Sequence, residues 1–279
     1  MNPLEISGLT KKYPSFLLDD VSFQVRPGEI MGFIGRNGAG KTTTLKCLTD
    51  MVHPDKGEVC FFGMPFSGNQ RAVKQRIGFV SGAVDFYMRK KLSAITDVTR
   101  RFYENWDEAA YRRWMERFSL DERKTPAALS QGMKIKYCLA LALSHRAELL
   151  ILDEPTSGLD PVSRSDLLEN FLMLAGDGVS ILFSTHITSD LERCAHRIAY
   201  IRSGRIQAVC KTEEFAGEYR LVSLPETPPD GPVKAALIGP RLEKTGLSAL
   251  VRREDAQRLG LPCVPCDLEN AMIHLEKEA

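Results

Sequence analysis

The stretch "GRNGAGKTT", Gly35 to Thr43, sets three glycines, a lysine and two hydroxyls at the spacing G-x-x-x-x-G-K-[ST]. Gly35, Gly38 and Gly40 let successive backbone N–H groups curl around an anion where a Cβ would crowd the turn. Arg36, Asn37 and Ala39 complete the loop. Lys41 is placed to reach the β and γ oxygens of a nucleotide, and the Thr42 hydroxyl to face Mg²⁺. Thr43 leads into a helix whose positive end adds to the field. Downstream, "LLILDEP" delivers Asp153 and Glu154 at the end of an apolar run. Asp153 can hold Mg²⁺ through water, and Glu154 can orient and polarise an attacking water. In "STH", His186 ends another apolar run and suits a γ-phosphate contact. A second phosphate-facing turn, "LSQGM" from Leu129 to Met133, opens what reads as a helix.

These residues need rigid strands behind them. "GEIMGFIG" is an apolar run ending in glycine, as expected of a buried parallel strand. The spacing of Leu45, Leu48 and Val52 predicts a helix that ends at Pro54. "GEVCFFG" reads as a further strand. Apolar strands follow at Leu149–Leu152, Val179–Phe183, Ile198–Ile201 and Ile206–Cys210, with a helix over Pro161–Ala175. Such alternation predicts an α/β fold, a parallel sheet covered on both faces. In between, "SAITDVTRRFYENWDEAAYRRWMERF" sets Ile95, Val98, Phe102 and Trp106 at helical spacing, which predicts one or two amphipathic helices in a lobe over about 88–140. Near residue 217 the character changes. Pro225, Pro228, Pro229 and Pro232 mark a linker, and "DLENAMIHLEKEA" ends the chain as an amphipathic helix.

With 279 residues the chain can hold one large or two smaller domains, and its net charge of +1 argues against a dedicated nucleic-acid binder. Seven scattered cysteines suggest a reducing compartment. Cys263 and Cys266 form a lone C-x-x-C without a second ligand pair nearby, so they read as unrelated thiols. The N-terminus lacks an apolar signal core, and no run approaches the ~20 residues of a membrane helix. A soluble cytoplasmic protein is expected.

The order of these motifs resembles the ATP-binding subunit of ABC transporters over residues 1–216. "GRNGAGKTT" is similar to that family's Walker A, "LSQGM" to its signature, "LLILDEP" to Walker B, Ser157–Asp160 to the D-loop, and His186 to the switch histidine. "FYENWD" ahead of an "LSxGM" signature resembles a bacterial branch that partners exporter-type permeases. The resemblance implies a P-loop NTPase with a RecA-like core, a helical subdomain and, over 217–279, a C-terminal extension of unknown role. It implies ATP and Mg²⁺, Tyr13 stacked on adenine, and two ATPase subunits, identical or related, facing head to tail. Ser130 and the Gly132 amide would then act in trans on the ATP of the partner. A separate transmembrane permease would hold the chain peripherally on the inner face of the cell membrane, with contact expected near residues 80–90 and the helical lobe.

Two positions depart from the family pattern. Met133 replaces the glutamine of the signature, and Gly82 stands where a glutamine normally touches Mg²⁺ and water, with Asp85 the nearest acceptor to stand in. Two other readings compete: a soluble ABC-type ATPase acting on nucleic acid or ribosomes, and a low-turnover regulatory ATP-binding subunit. The first lacks the coiled coil, zinc modules or second cassette it would need. Intact Lys41, Asp153, Glu154 and His186 speak against the second.

Overall fold

A computed structural model describes residues 1–81, 87–225, 231–244 and 246–278. Gly82, Asp85, Pro228 and Pro229 lie outside the described residues. The chain forms two compact units, Met1–His186 with Cys194–Val209, and Ile187–Arg193 with Cys210–Ala279.

The first unit is built on a six-stranded sheet. Its strand order is Arg205–Lys211, Arg197–Arg202, Ile30–Ile34, Ser180–Thr185, Leu149–Asp153 and Ile77–Ser81. The last five run parallel. Every residue of Ile30–Ile34 and of Ser180–Thr185 is buried. That is the burial expected of strands covered on both faces, and it explains their unbroken apolar sequences. The predicted parallel α/β architecture is therefore present. The helix after the glycine loop is shorter than its periodicity suggests. It spans Lys41–Leu48, and Val52 packs against the core from beyond its end.

A four-stranded antiparallel sheet, in the order Phe16–Val25, Leu4–Tyr13, Lys56–Phe61 and Met64–Pro65, also belongs to this unit. Its two long N-terminal strands are a finding that the sequence patterns above did not predict. The reason is local. The alternation Leu4, Ile6 breaks at Gly8, which takes a φ of 64°, and the pairing register shifts between Ile6 and Leu9. An irregularity of that kind moves the next apolar residue off period two.

Helices Leu92–Thr99, Glu108–Arg117 and Gln131–Ser144 form the lobe. The expected Ile95, Val98, Phe102, Trp106 stripe does not form one buried face. Ile95 is buried, but Val98 and Phe102 are 51% and 70% exposed, because the helix tightens into a 3₁₀ turn at Arg100–Phe102 and ends. The centre of the lobe is polar instead. The Thr96 hydroxyl lies 2.9 Å from the Tyr111 hydroxyl and 2.8 Å from that of Tyr137, which donates to the Leu92 carbonyl at 2.9 Å.

His145 caps the end of Gln131–Ser144, stacks on Tyr103 at 3.7 Å and donates from Nδ1 to the Gln75 carbonyl at 3.3 Å. Burial holds it neutral, down at about 4 from an ordinary 6.5, although the bonds to carbonyls pull the other way. A base held below its unfolded value leaves the unfolded chain with more bound protons. Stability is therefore complete above pH 6.5 and is lost as pH falls towards 4. Between pH 7 and 5 this one group should remove roughly 2 kcal/mol. Urea unfolding should show a steeper decline over that range in wild type than in His145→Phe. Parallel declines would mean that His145 titrates normally.

In the second unit the strands Ile238–Glu243, Gly246–Arg252, Tyr219–Leu224 and Cys263–Pro265 form an antiparallel sheet in that order. The predicted terminal helix is Leu268–Leu275, capped by the Asp267 carboxylate on the Asn270 amide at 2.7 Å. Cys263 is exposed on the edge strand, whereas the buried Cys266 thiol donates to the Asp267 carbonyl at 3.2 Å. Among the described residues no helix is long and apolar enough to cross a membrane.

Candidate active site

In an open parallel sheet, ligands collect beyond the carboxyl ends of the strands. Three neighbouring strands here end in candidate residues: Ile30–Ile34 runs into the glycine loop, Leu149–Asp153 into Glu154, and Ser180–Thr185 into His186.

The loop geometry explains its glycines. Gly38 and Gly40 take φ of 83° and 116°, in the left-handed region that favours glycine. At Gly35 the reason is space, because a Cβ there would sit 2.3 Å from the Ile201 carbonyl oxygen. Arg36 points to solvent, while Ala39 is buried and its carbonyl accepts from the Gly204 amide at 3.0 Å.

Lys41 is only 4% exposed, and its ammonium has three close acceptors. Nζ donates to the Gly35 carbonyl at 2.8 Å and the Arg36 carbonyl at 3.3 Å, and lies 3.2 Å from Glu154 Oε1. His186 Nδ1 meets the other oxygen of that carboxylate, Oε2, at 2.6 Å. A carboxylate only accepts, so Nδ1 carries the proton. Glu154 is thus gripped by both cationic or donor groups expected to face a phosphate. An incoming phosphate would compete with the carboxylate for them and so free it. The Glu154 backbone holds a φ of 50°, unusual for a residue with a side chain and costing roughly 1–3 kcal/mol. The Thr42 hydroxyl is 3.4 Å from Asp153 Oδ1, so two hard oxygen donors suited to Mg²⁺ stand together.

A hollow of about 860 Å³ opens over this edge. Tyr13, Asn37, Gly38, Gly40, Lys41, Thr42, Thr43 and Glu154 line it, together with Phe16. Phe16 escaped notice in the sequence, as did Ser184, which is buried between Asp153 and Glu154. The available signals were an aromatic three residues after Tyr13 and a hydroxyl two residues before His186.

Ser130 and Gly132 are placed differently. Ser130 caps Gln131–Ser144, its Oγ accepting from the Met133 amide at 3.2 Å, and Gly132 is buried in the first turn. Neither lines the hollow. The D-loop residue Asp160 caps Pro161–Gly176 through bonds of 3.0 Å to the Val162 and Ser163 amides.

Comparison with known proteins agrees with this geometry. Residues 18–157 match the family described as ABC transporter. The ABC transporter ATP-binding protein YtrB of Bacillus subtilis is 34% identical over 204 residues, 73% of this chain and 70% of its own length. The Nod factor export ATP-binding protein I of Burkholderia pseudomallei is 38% identical over 213 residues, covering 73% and 69%. Among solved structures, an ATP-binding subunit of an ABC transporter superposes with a TM-score of 0.69 at 29% identity, over 77% of this chain and 92% of that one. A chain whose family match spans the glycine loop and the Asp153–Glu154 strand end, on this sheet, is a P-loop ATPase of the ABC transporter family, an ATP-hydrolysing subunit that works with a membrane permease.

Proposed function

We propose that the chain pairs with a second ATPase subunit, identical or related, closes around two MgATP and so drives a separate permease engaged in export. What carries this reading is the meeting of Lys41, Thr42, Asp153, Glu154 and His186 at one sheet edge. Tyr13 stacks on the adenine, while the amides of Gly35, Arg36, Asn37, Gly38, Ala39, Gly40, Thr42 and Thr43 wrap the phosphates. Lys41 binds the β and γ oxygens, and His186 holds the γ-phosphate from the adjacent strand end. Thr42 and Asp153 hold Mg²⁺, which neutralises phosphate charge. Released from Lys41 and His186, Glu154 orients a water for in-line attack on the γ-phosphorus. Ser130 and Gly132 serve the site of the partner subunit. Residues 1–216 do this work, and 217–279 form an appended extension. The export direction is supported by the Nod factor export relative.

Membrane fractionation with and without a co-expressed neighbouring permease tests the assignment. The chain should pellet with membranes only when the permease is present and should leave the pellet when the permease is removed. An equal distribution in both cells would contradict it.

A further inference from the structure

We propose that Ser184 is a positioning residue that sets both carboxylates of the site, a role that rests on the ATPase reading above. Ser184 lies in the strand next to Leu149–Asp153 and pairs in register with Asp153. It is fully buried. Its hydroxyl has one proton, and the distances fix where it goes. The Glu154 N–H donates to Ser184 Oγ at 2.9 Å, so the hydroxyl turns its proton to Asp153 Oδ1, 2.6 Å away.

That chain of two bonds has two consequences. First, Oδ1 of Asp153 receives both the Ser184 and the Thr42 hydroxyls, which fixes the carboxylate plane. Oδ2, which neither of these hydroxyls holds, is then the oxygen left to face a magnesium-bound water. Second, the amide of Glu154 is anchored where its backbone takes a φ of 50°. A strained conformation persists only when its surroundings over-determine it. One hydroxyl therefore ties the placement of the metal carboxylate to that of the water-activating one. Removing it leaves a half-buried N–H without this acceptor and lets the Asp153 carboxylate rotate.

Residues that orient metal-holding side chains typically change metal affinity roughly 10- to 100-fold when removed. The test is equilibrium binding of a fluorescent non-hydrolysable ATP analogue, first without metal and then as Mg²⁺ is titrated. Ser184→Ala should bind the metal-free analogue as wild type does, because the glycine loop and Lys41 are untouched. Its half-saturating Mg²⁺ should rise about tenfold or more. Ser184→Thr, which keeps the hydroxyl on a β-branched side chain suited to a strand, should stay near wild type. Superimposable Mg²⁺ curves for wild type and Ser184→Ala would overturn the proposal. So would an equal shift in Ser184→Thr. If Ser184→Ala fails to fold, Ser184→Cys takes its place, because a thiol donates only weakly. A raised Mg²⁺ requirement in Ser184→Cys then supports the role, and a curve superimposable on wild type overturns it. Wild type that fails to bind the analogue at all would refute the ATPase reading itself, a result distinct from either.

Discussion

Glu154→Gln binds ATP at least as tightly as wild type and hydrolyses it roughly 10²- to 10⁴-fold more slowly, the usual contribution of a positioned general base. The geometry supplies the reason for both halves. The Glu154 carboxylate holds Lys41 at 3.2 Å and His186 at 2.6 Å, so the two groups proposed to bind phosphate are engaged by a competing anion. An amide of the same shape removes that competing charge and leaves Lys41 free for the nucleotide. It also removes the group that can take a proton from water. With binding intact and turnover lost, closed dimers accumulate, and size-exclusion chromatography with MgATP should move the mutant to twice the monomer mass. Glu154→Asp separates charge from position: it retains the anion but withdraws it by one methylene, so turnover should fall while trapping is weak. A Glu154→Gln protein that stays monomeric in MgATP, or that turns over like wild type, removes Glu154 from this role.

The site was legible in the sequence to the extent that its chemistry is local. Lys41 and Thr42 sit in the same turn as the glycines that shape it, and Asp153 and Glu154 end a short apolar run that reads as a buried strand. His186 was legible for the same reason, at the end of Ser180–Thr185. Ser184, two residues earlier on that strand, was not. Its role depends on the cross-strand register that sets it beside Asp153, and register is a tertiary fact. The lobe shows the converse error. Val98 and Phe102 fit a helical stripe but are largely exposed, since periodicity names a face without saying what covers it. The second unit gave even less warning. Tyr219–Leu224 and Gly246–Arg252 are separated by the Pro-rich segment, so their antiparallel pairing joins stretches that share no local signal. Only the amphipathic helix Leu268–Leu275, whose pattern is self-contained, could be read in advance.

The two turns proposed to face phosphate bear most directly on assembly. Ser130 and Gly132 stand at the start of a 14-residue helix, where the helix dipole attracts an anion, yet neither lines the hollow over Lys41. If each serves a partner, two differently damaged chains must repair one another. Lys41→Ala destroys the cradle of its own chain. Gly132→Asp puts a carboxylate in the first turn of the helix. A Cβ there meets Ser163 at 3.4 Å, an ordinary contact, and an acid at a helix start favours folding. Its charge, however, repels the phosphate of the facing subunit. Each mutant homodimer has two defective sites. A heterodimer concentrates both defects in one site and leaves the other whole. Random pairing of equal amounts makes about half the dimers mixed, so turnover of the mixture should reach about a quarter of wild type when one site works alone. Steady-state ATPase of the two proteins, separately and after mixing, measures this directly. A mixture no more active than the mean of its components would place both turns in the service of their own chain and dissolve the shared site.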